Sequence, residues 1–68
     1  MRYMSVIEKC ENNYSAYFPD VPGCVATGKD EKEVLKNLES ALLFHIEGLQ
    51  EQNLSLPAPN SFSSYIAV

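Results

Sequence analysis

The chain has 68 residues, of which 46% are apolar and 21% are charged, and its formal net charge at pH 7 is −4. This length allows one small domain, and such scaffolds often need a disulfide, a metal or a partner chain for stability. The apolar content excludes a disordered tail. The five basic residues form no run, so phosphate-based binding to nucleic acid is not expected. The acidic surface suits a basic protein partner or simply aids solubility.

Three short strands are predicted in the first half of the chain, over residues 3–10, 14–18 and 24–27. An Asn-Asn turn joins the first two, because Asn tolerates the left-handed angles of tight hairpins. Two prolines form a rigid corner before the third, since proline fixes its own φ and lacks a backbone donor. Gly23 and Gly28 permit backbone angles that a Cβ would penalise. The pattern predicts an antiparallel meander.

A helix is predicted from Glu31 to about Gln52. Asp30 is placed as its N-cap, and Glu33 would complete a capping box. Asn53 can adopt the left-handed backbone conformation in which helices commonly end. The apolar stripe of this helix has spacings of three and four, and consists of Val34, Leu35, Leu38, Ala41, Leu42, Ile46 and Leu49.

A stiff connection with two prolines, at residues 56–60, leads the chain back to a predicted fourth strand at residues 63–68. A strand that follows a helical crossover normally lies parallel to an earlier strand. We therefore expect an α+β fold of order βββαβ, in which the fourth strand lies parallel to the first, the sheet order is 3-2-1-4, and one helix packs on one face. Residues 1–68 are expected to form a single domain.

The corner also resembles a known family pattern. Residues 18–24 read Phe-Pro-Asp-Val-Pro-Gly-Cys, and the likeness continues through Leu56-Pro57 and Pro59 to the last strand. This pattern is similar to that of the HicB family, the antitoxin half of the HicA–HicB toxin–antitoxin pair. The resemblance implies the same strand arrangement, a partial ribonuclease H-like fold. The motif residues are Phe18, Pro19, Asp20, Pro22, Gly23, Cys24 and Gly28.

The resemblance implies a non-catalytic protein that binds a small basic HicA-type ribonuclease and blocks its RNA-binding or catalytic surface. Many members of that family carry a C-terminal DNA-binding domain, and none is expected here, so transcriptional repression is not expected either. The alternative is an orphan oligomeric HicB-like domain that binds another protein or a small ligand without a toxin partner.

Catalytic activity, cofactors and metals are not expected. Nucleases of the ribonuclease H type gather several carboxylates around two metal ions. Glu8 is the only acidic residue of the first predicted strand, and the last strand has none. His45, the single histidine, falls near the middle of the apolar stripe and is expected to form a hydrogen bond where helix meets sheet. With Cys10 and Cys24 it has no recognised zinc-site spacing.

The two cysteines could pair, but neither a signal peptide nor a membrane segment is evident. A cytoplasmic location is expected, with both thiols reduced and each serving as a small apolar side chain in a strand.

Several residues are candidates for a contact surface. Leu43 and Phe44 are large and apolar but lie away from the helical stripe. The last strand lacks a charge or proline and would offer another chain an edge for pairing. A homodimer or higher oligomer is expected, the alternative being a monomer with a few exposed apolar residues. Asp20 is expected to bond backbone donors two residues on, the alternative being a catalytic or partner-facing role. The candidate interface comprises Tyr17, Asp20, Leu43, Phe44, Tyr65 and Ile66.

Overall fold

The computed structural model describes residues 1–68 and contains three strands followed by one helix. Strand β1 spans Val6–Lys9, β2 spans Tyr14–Tyr17, β3 spans Val25–Gly28, and helix α1 spans Glu31–Glu51. The sheet order is β1-β2-β3, and both strand pairs are antiparallel. The predicted meander and the α+β class are therefore confirmed.

The strand ends differ slightly from the prediction. Residues 3–5 are half-buried but pair with no strand, so β1 is shorter than expected. Cys10 lies beyond β1, and its N–H donates to the carbonyl of Asn13 at 2.7 Å, which closes the turn. Cys24 lies before β3 because its N–H donates to the carbonyl of Val21 at 3.2 Å, within the corner.

The predicted fourth strand is not present in the single chain. Residues 63–68 are exposed and pair with no other segment, so the order 3-2-1-4 is not shown. Strand propensity reflects packing against neighbouring strands, and no strand of its own chain pairs with this segment. Helix α1 packs mainly on β3 and less on β2. Because no strand lies beyond β1, its outer edge is open.

The core is small and lies where the corner meets β2 and the first half of α1. Six apolar side chains are buried: Ala16, Phe18, Val21, Cys24, Val34 and Leu38. Around them pack partly buried side chains of the sheet and helix: Tyr3, Ile7, Tyr14, Ala26, Ala41 and Leu42. This is the helix-facing side of the sheet, since side chains along a strand alternate between its faces.

The opposite face of the sheet has no covering element. The register pairs Val6 with Tyr17 and Tyr17 with Val25, so these three side chains form one row across that face. Val25 is 66% exposed and Tyr17 is 39% exposed. The sheet therefore keeps an apolar row open to solvent.

Helix α1 starts at the predicted cap. The Glu33 N–H donates to Oδ1 of Asp30 at 2.7 Å, which satisfies one of the donors left unpaired at a helix start. Glu33 accepts in turn from the N–H of Lys29 at 3.0 Å, one residue before the N-cap. The reciprocal bond of the predicted capping box is thus displaced by one residue.

The helix stops at the predicted position and extends past the sheet. Asn53 has a φ of 56°, and the Leu54 N–H donates to the Leu49 carbonyl at 2.9 Å, as in a Schellman motif. The 21 residues of α1 measure about 31 Å. Each strand has four residues and measures about 13 Å. The second half of the helix therefore has no sheet beneath it.

Gly28 marks the closest approach of β3 to α1. A Cβ at this position would lie 2.5 Å from the backbone nitrogen of Val34. Gly28 does not have a positive φ, so glycine is needed here for space and not for the backbone angle that we predicted. At Gly23 glycine is needed for the backbone angle, because its φ is +81°.

We expect Gly28→Ala to lower the free energy of unfolding by about 2 kcal/mol or more, because the added methyl group forces β3 and α1 apart. Gly48→Ala is the matched control. Its Cβ meets nothing within 4 Å, so alanine should raise the free energy of unfolding by about 0.5–1 kcal/mol through helix propensity. Urea unfolding followed by circular dichroism measures both, and equal effects at the two sites would contradict this account of Gly28.

Candidate protein–protein interface

The Asp20 carboxylate clamps the corner to a distant part of the chain. Its Oδ2 accepts from the N–H of Ser61, and its Oδ1 accepts from the Ser61 hydroxyl, both at 2.8 Å. The predicted bond to donors two residues on is wrong: Pro22 has no N–H to donate, and both carboxylate oxygens accept from Ser61 instead. Asp20 is half-buried in this arrangement. It therefore fixes where the segment after the proline-rich connection leaves the body of the protein.

A second tie holds the same connection. The Tyr3 hydroxyl donates to the Pro57 carbonyl at 2.7 Å. The Tyr3 ring packs edge-on against Phe18, with ring centroids 6.2 Å apart. Together with the clamp, this places residues 57–61 beside the start of β1. No local pattern in the sequence identifies Ser61 or Pro57, since both bonds span more than 40 residues.

Residues 62–68, which we call the arm, leave the body of the protein after Ser61. They make no hydrogen bond within the chain. Phe62 is 86% exposed and Ile66 is 89% exposed. Residues two or four apart share a face of an extended segment, so Phe62, Ile66 and Val68 would lie on one side. The radius of gyration is 13.2 Å, against about 11 Å expected for a compact chain of this length.

A largely apolar groove lies between the helix and Ser5, the residue that precedes β1. It is lined by Ser5, Phe18, Leu35, Leu38, Glu39 and Leu42. Leu35 was predicted to be part of the buried stripe, yet it is 41% exposed. The reason is the placement of α1 over β3 and β2, which leaves the β1 side of the stripe without a covering strand.

The outer face of α1 combines apolar and acidic side chains. Phe44 is 80% exposed and Leu43 is 61% exposed, which confirms that both face solvent. At about 100° per residue, Glu51 falls about 20° and Glu47 about 60° from Phe44 around the helix. No Lys or Arg occurs between residues 37 and 51. We call the surface formed by these four side chains the outer helix face.

His45 lies on the part of α1 that extends past the sheet. It is half-buried beside a shallow groove lined by Phe44, Gly48, Leu49 and Gln52. Its side chain makes no hydrogen bond within the chain, so the predicted bond at the junction of helix and sheet is wrong. The sheet ends before it reaches this turn of the helix.

The two cysteines have different environments. Both are free, as expected, but only Cys24 is a core side chain, and burial raises the pKa of its thiol. Cys10 is exposed, with its Sγ 3.7 Å from the Ser15 hydroxyl oxygen. The prediction that both pack as small apolar residues is therefore wrong for Cys10.

No three side chains of His, Cys, Asp or Glu lie close enough together to hold a metal ion. No helix in the chain has the length and apolar character needed to cross a membrane.

Comparison with known families identifies the fold. The profile of the HicB_like antitoxin of bacterial toxin-antitoxin systems matches residues 3–68. The chain belongs to the HicB-like antitoxin family. A chain of the solved HicA3 and HicB3 toxin-antitoxin complex superposes with a TM-score of 0.68 and 34% sequence identity, over 87% of this chain and 72% of that chain.

Three curated relatives are similar to this HicB-like chain. An uncharacterised 14.9 kDa protein of Haemophilus phage HP1 is 41% identical over 97% of this chain, which spans 50% of the phage protein. A UPF0150 protein of Thermoplasma acidophilum is 37% identical over 90% of both chains. A UPF0150 protein of Helicobacter pylori is 39% identical over 75% of this chain and 71% of its own length.

The HicB-like motif residues contribute to the core and to the clamp, by which we mean the two hydrogen bonds between Asp20 and Ser61. Phe18 and Cys24 are buried, whereas Pro19, Pro22 and Gly23 form the exposed bend between them. Asp20 bonds Ser61, and Gly28 contacts the backbone of α1. In this chain the motif thus builds the corner. Of the candidate contact residues it contains only Asp20, which bonds Ser61, and the others lie on the sheet, the helix and the arm.

We expect Asp20→Ala to release the Ser61 segment and lower the free energy of unfolding by about 1–3 kcal/mol, since both Ser61 donors lose their acceptor. Hydrogen exchange should show a faster-exchanging Ser61 amide. Ser63→Ala, which alters an exposed hydroxyl with no bond in the chain, serves as the control and should change neither quantity. An unchanged Ser61 amide in Asp20→Ala would contradict the clamp.

We expect iodoacetamide to modify Cys10 rapidly and Cys24 only on unfolding. The raised pKa of the Cys24 thiol lowers its thiolate fraction at neutral pH, and burial blocks access. Mass spectrometry of the native protein should show one rapid adduct, and the Cys10→Ser variant should show none. Rapid modification of both thiols would rule out this assignment.

Proposed function

We propose that this chain acts as an antitoxin that binds a small basic HicA-type mRNA-cleaving toxin and masks its surface. The observation that carries the proposal is its 34% identity with a chain of the HicA3 and HicB3 complex, over 87% of this chain. Masking needs no chemistry from the antitoxin, and the proposed role involves no catalytic activity. An mRNA-cleaving partner implies a cytoplasmic location. Residues 1–68 would act as a single domain in this role.

We assign the toxin contact to the outer helix face. Phe44 and Leu43 provide exposed apolar anchors, and Glu47 and Glu51 provide negative charge beside them. Opposite charges speed the encounter of two proteins, and a large apolar side chain at the centre of an interface supplies much of the affinity. A basic toxin would meet both features on one surface.

In this proposal the candidate contact residues on the sheet and on the arm take part in self-association of the chain. Tyr17 lies in the open apolar row, and Tyr65 and Ile66 lie on the arm. We propose that the protein forms a homodimer or higher oligomer and that residues 63–68 then form a fourth strand parallel to β1. The sheet order would become 3-2-1-4. The open edge of β1 and the groove beside it support this arrangement.

The direct test is inhibition of RNA cleavage. The small basic protein encoded beside the gene for this chain would be purified and mixed with an RNA substrate. An equimolar amount of this chain should stop cleavage, and raising the salt concentration should slow association because it screens opposite charges. A toxin that forms no complex with the chain and keeps full activity would overturn the proposal.

We expect Phe44→Ala to weaken toxin binding at least about tenfold, the usual effect of truncating an aromatic anchor. Val25→Ala is the matched control, since Val25 is also an exposed apolar residue but lies on the open face of the sheet. Binding measured by titration calorimetry should be unchanged in the control. The opposite result, with loss of binding only in Val25→Ala, would move the toxin contact to the sheet.

A second candidate is an orphan oligomeric domain that binds another protein or a small ligand. The exposed arm and the open edge favour it, because both can be satisfied by self-association alone. The absence of a short basic reading frame beside the gene would favour this candidate over a paired antitoxin.

A further inference from the structure

We propose that the arm of one copy adds as a strand to the open β1 edge of a second copy, and that the exchange is reciprocal. The inference rests on the self-association proposed above and names the segment and the chain that supply the fourth strand. Four observations on this structure support it. They are the unpaired backbone of β1, the groove next to it, the exposed arm, and the fact that every copy carries both the arm and the free β1 edge.

The first observation is the unpaired backbone of β1. This strand pairs with β2 on one side and with nothing on the other. The peptide groups on its free side are a template for another extended segment. β1 has neither a proline nor a bulge to protect this edge, and its two charged residues, Glu8 and Lys9, lie only at its C-terminal end, which leaves Val6 and Ile7 without a charge.

The second observation is the apolar groove next to that edge. Leu35, Leu38 and Leu42 face it from the helix together with one charged residue, Glu39, and Phe18 and Ser5 complete its wall. A strand added to β1 would place alternate side chains over this groove. On the arm, Phe62, Ile66 and Val68 are the alternate apolar side chains.

The third observation is the arm itself. Its seven residues would extend over about 23 Å as a strand, which is enough to run along the whole of β1. Its aromatic and β-branched residues favour strands, and Tyr65 is 98% exposed. The clamp at Asp20 holds the base of the arm at the body of its own chain and leaves the arm free beyond Ser61.

The fourth observation selects a second copy as the occupant. Each chain has one unpaired arm, and of the two outer strands of its sheet, β1 and β3, only β1 lies next to the groove. Within the single chain the arm and β1 do not pair. Two identical chains related by a two-fold axis can pair both β1 edges with both arms and leave neither arm unpaired. A partner of another sequence would fill the edge but would leave the arm unpaired.

The test is the mass of the full chain in solution, measured without any toxin. We expect light scattering to give the mass of two 7.6 kDa chains. Ile66→Pro removes a backbone donor from the arm and should raise the dimer dissociation constant at least about tenfold. Ile66→Val keeps the donor and the branched side chain, and it is the matched control that should remain dimeric. Circular dichroism should show the same helix content in all three, since residue 66 is exposed in the single chain.

Hydrogen exchange of the β1 amides identifies the occupant of the edge. Protection of Val6–Lys9 in the dimer, lost together with the dimer in Ile66→Pro, supports reciprocal exchange. A monomer with these amides protected would show that the arm folds back on its own β1, which overturns the proposal. A dimer unaffected by Ile66→Pro also overturns it. Toxin binding is measured separately with the Phe44→Ala variant, so failure of the proposed arm exchange is distinguishable from failure of the proposed antitoxin function.

Discussion

The mismatch in length between the helix and the sheet determines much of this structure. A helix of 21 residues crosses strands of four residues, so only its first half can bury side chains against the sheet. Val34 and Leu38 are buried there, whereas no residue of the second half is fully buried. The core consequently contains six side chains, and the rest of the apolar surface lies in the open row, the groove, the outer helix face and the arm. A chain this short has little apolar area with which to offset the entropy of folding.

The corner between β2 and β3 adds stability to a protein that has only a small buried core. Two prolines reduce the freedom of the unfolded chain, which stabilises the folded state when the native angles suit them. The same few residues supply Val21 to the core and Asp20 to the clamp. Because the clamp and the Tyr3–Pro57 bond both act on the connection after the helix, the base of the arm is fixed although the arm itself makes no hydrogen bond within the chain. A segment with a fixed base and a free, apolar extension is suited to pairing with another chain.

The sequence predicts the features that depend on local chemistry. Asp30 and Asn53 mark the helix ends because capping requires particular side chains at particular positions, and the Asn-Asn turn and the prolines mark the meander in the same way. Features that depend on where distant elements meet were missed. The exposure of Leu35 and the position of His45 follow from the path of the helix over β3. The Asp20–Ser61 bonds follow from the return of the connection to the corner, across 41 residues of chain. Helical periodicity places a residue on a face of the helix, but it does not say how far the sheet extends beneath that face.

The two proposed contacts can be occupied at the same time, for a geometric reason. Leu35 and Phe44 are nine residues apart, which at about 100° per residue places them on opposite sides of the helix. The groove beside β1 and the outer helix face therefore point in different directions. Filling the groove with an arm from a second copy would leave Phe44, Glu47 and Glu51 open. Exchange of arms would also enlarge the buried core of each chain without using the acidic surface that suits a basic toxin. Stabilisation and toxin recognition would thus depend on separate parts of the same small chain.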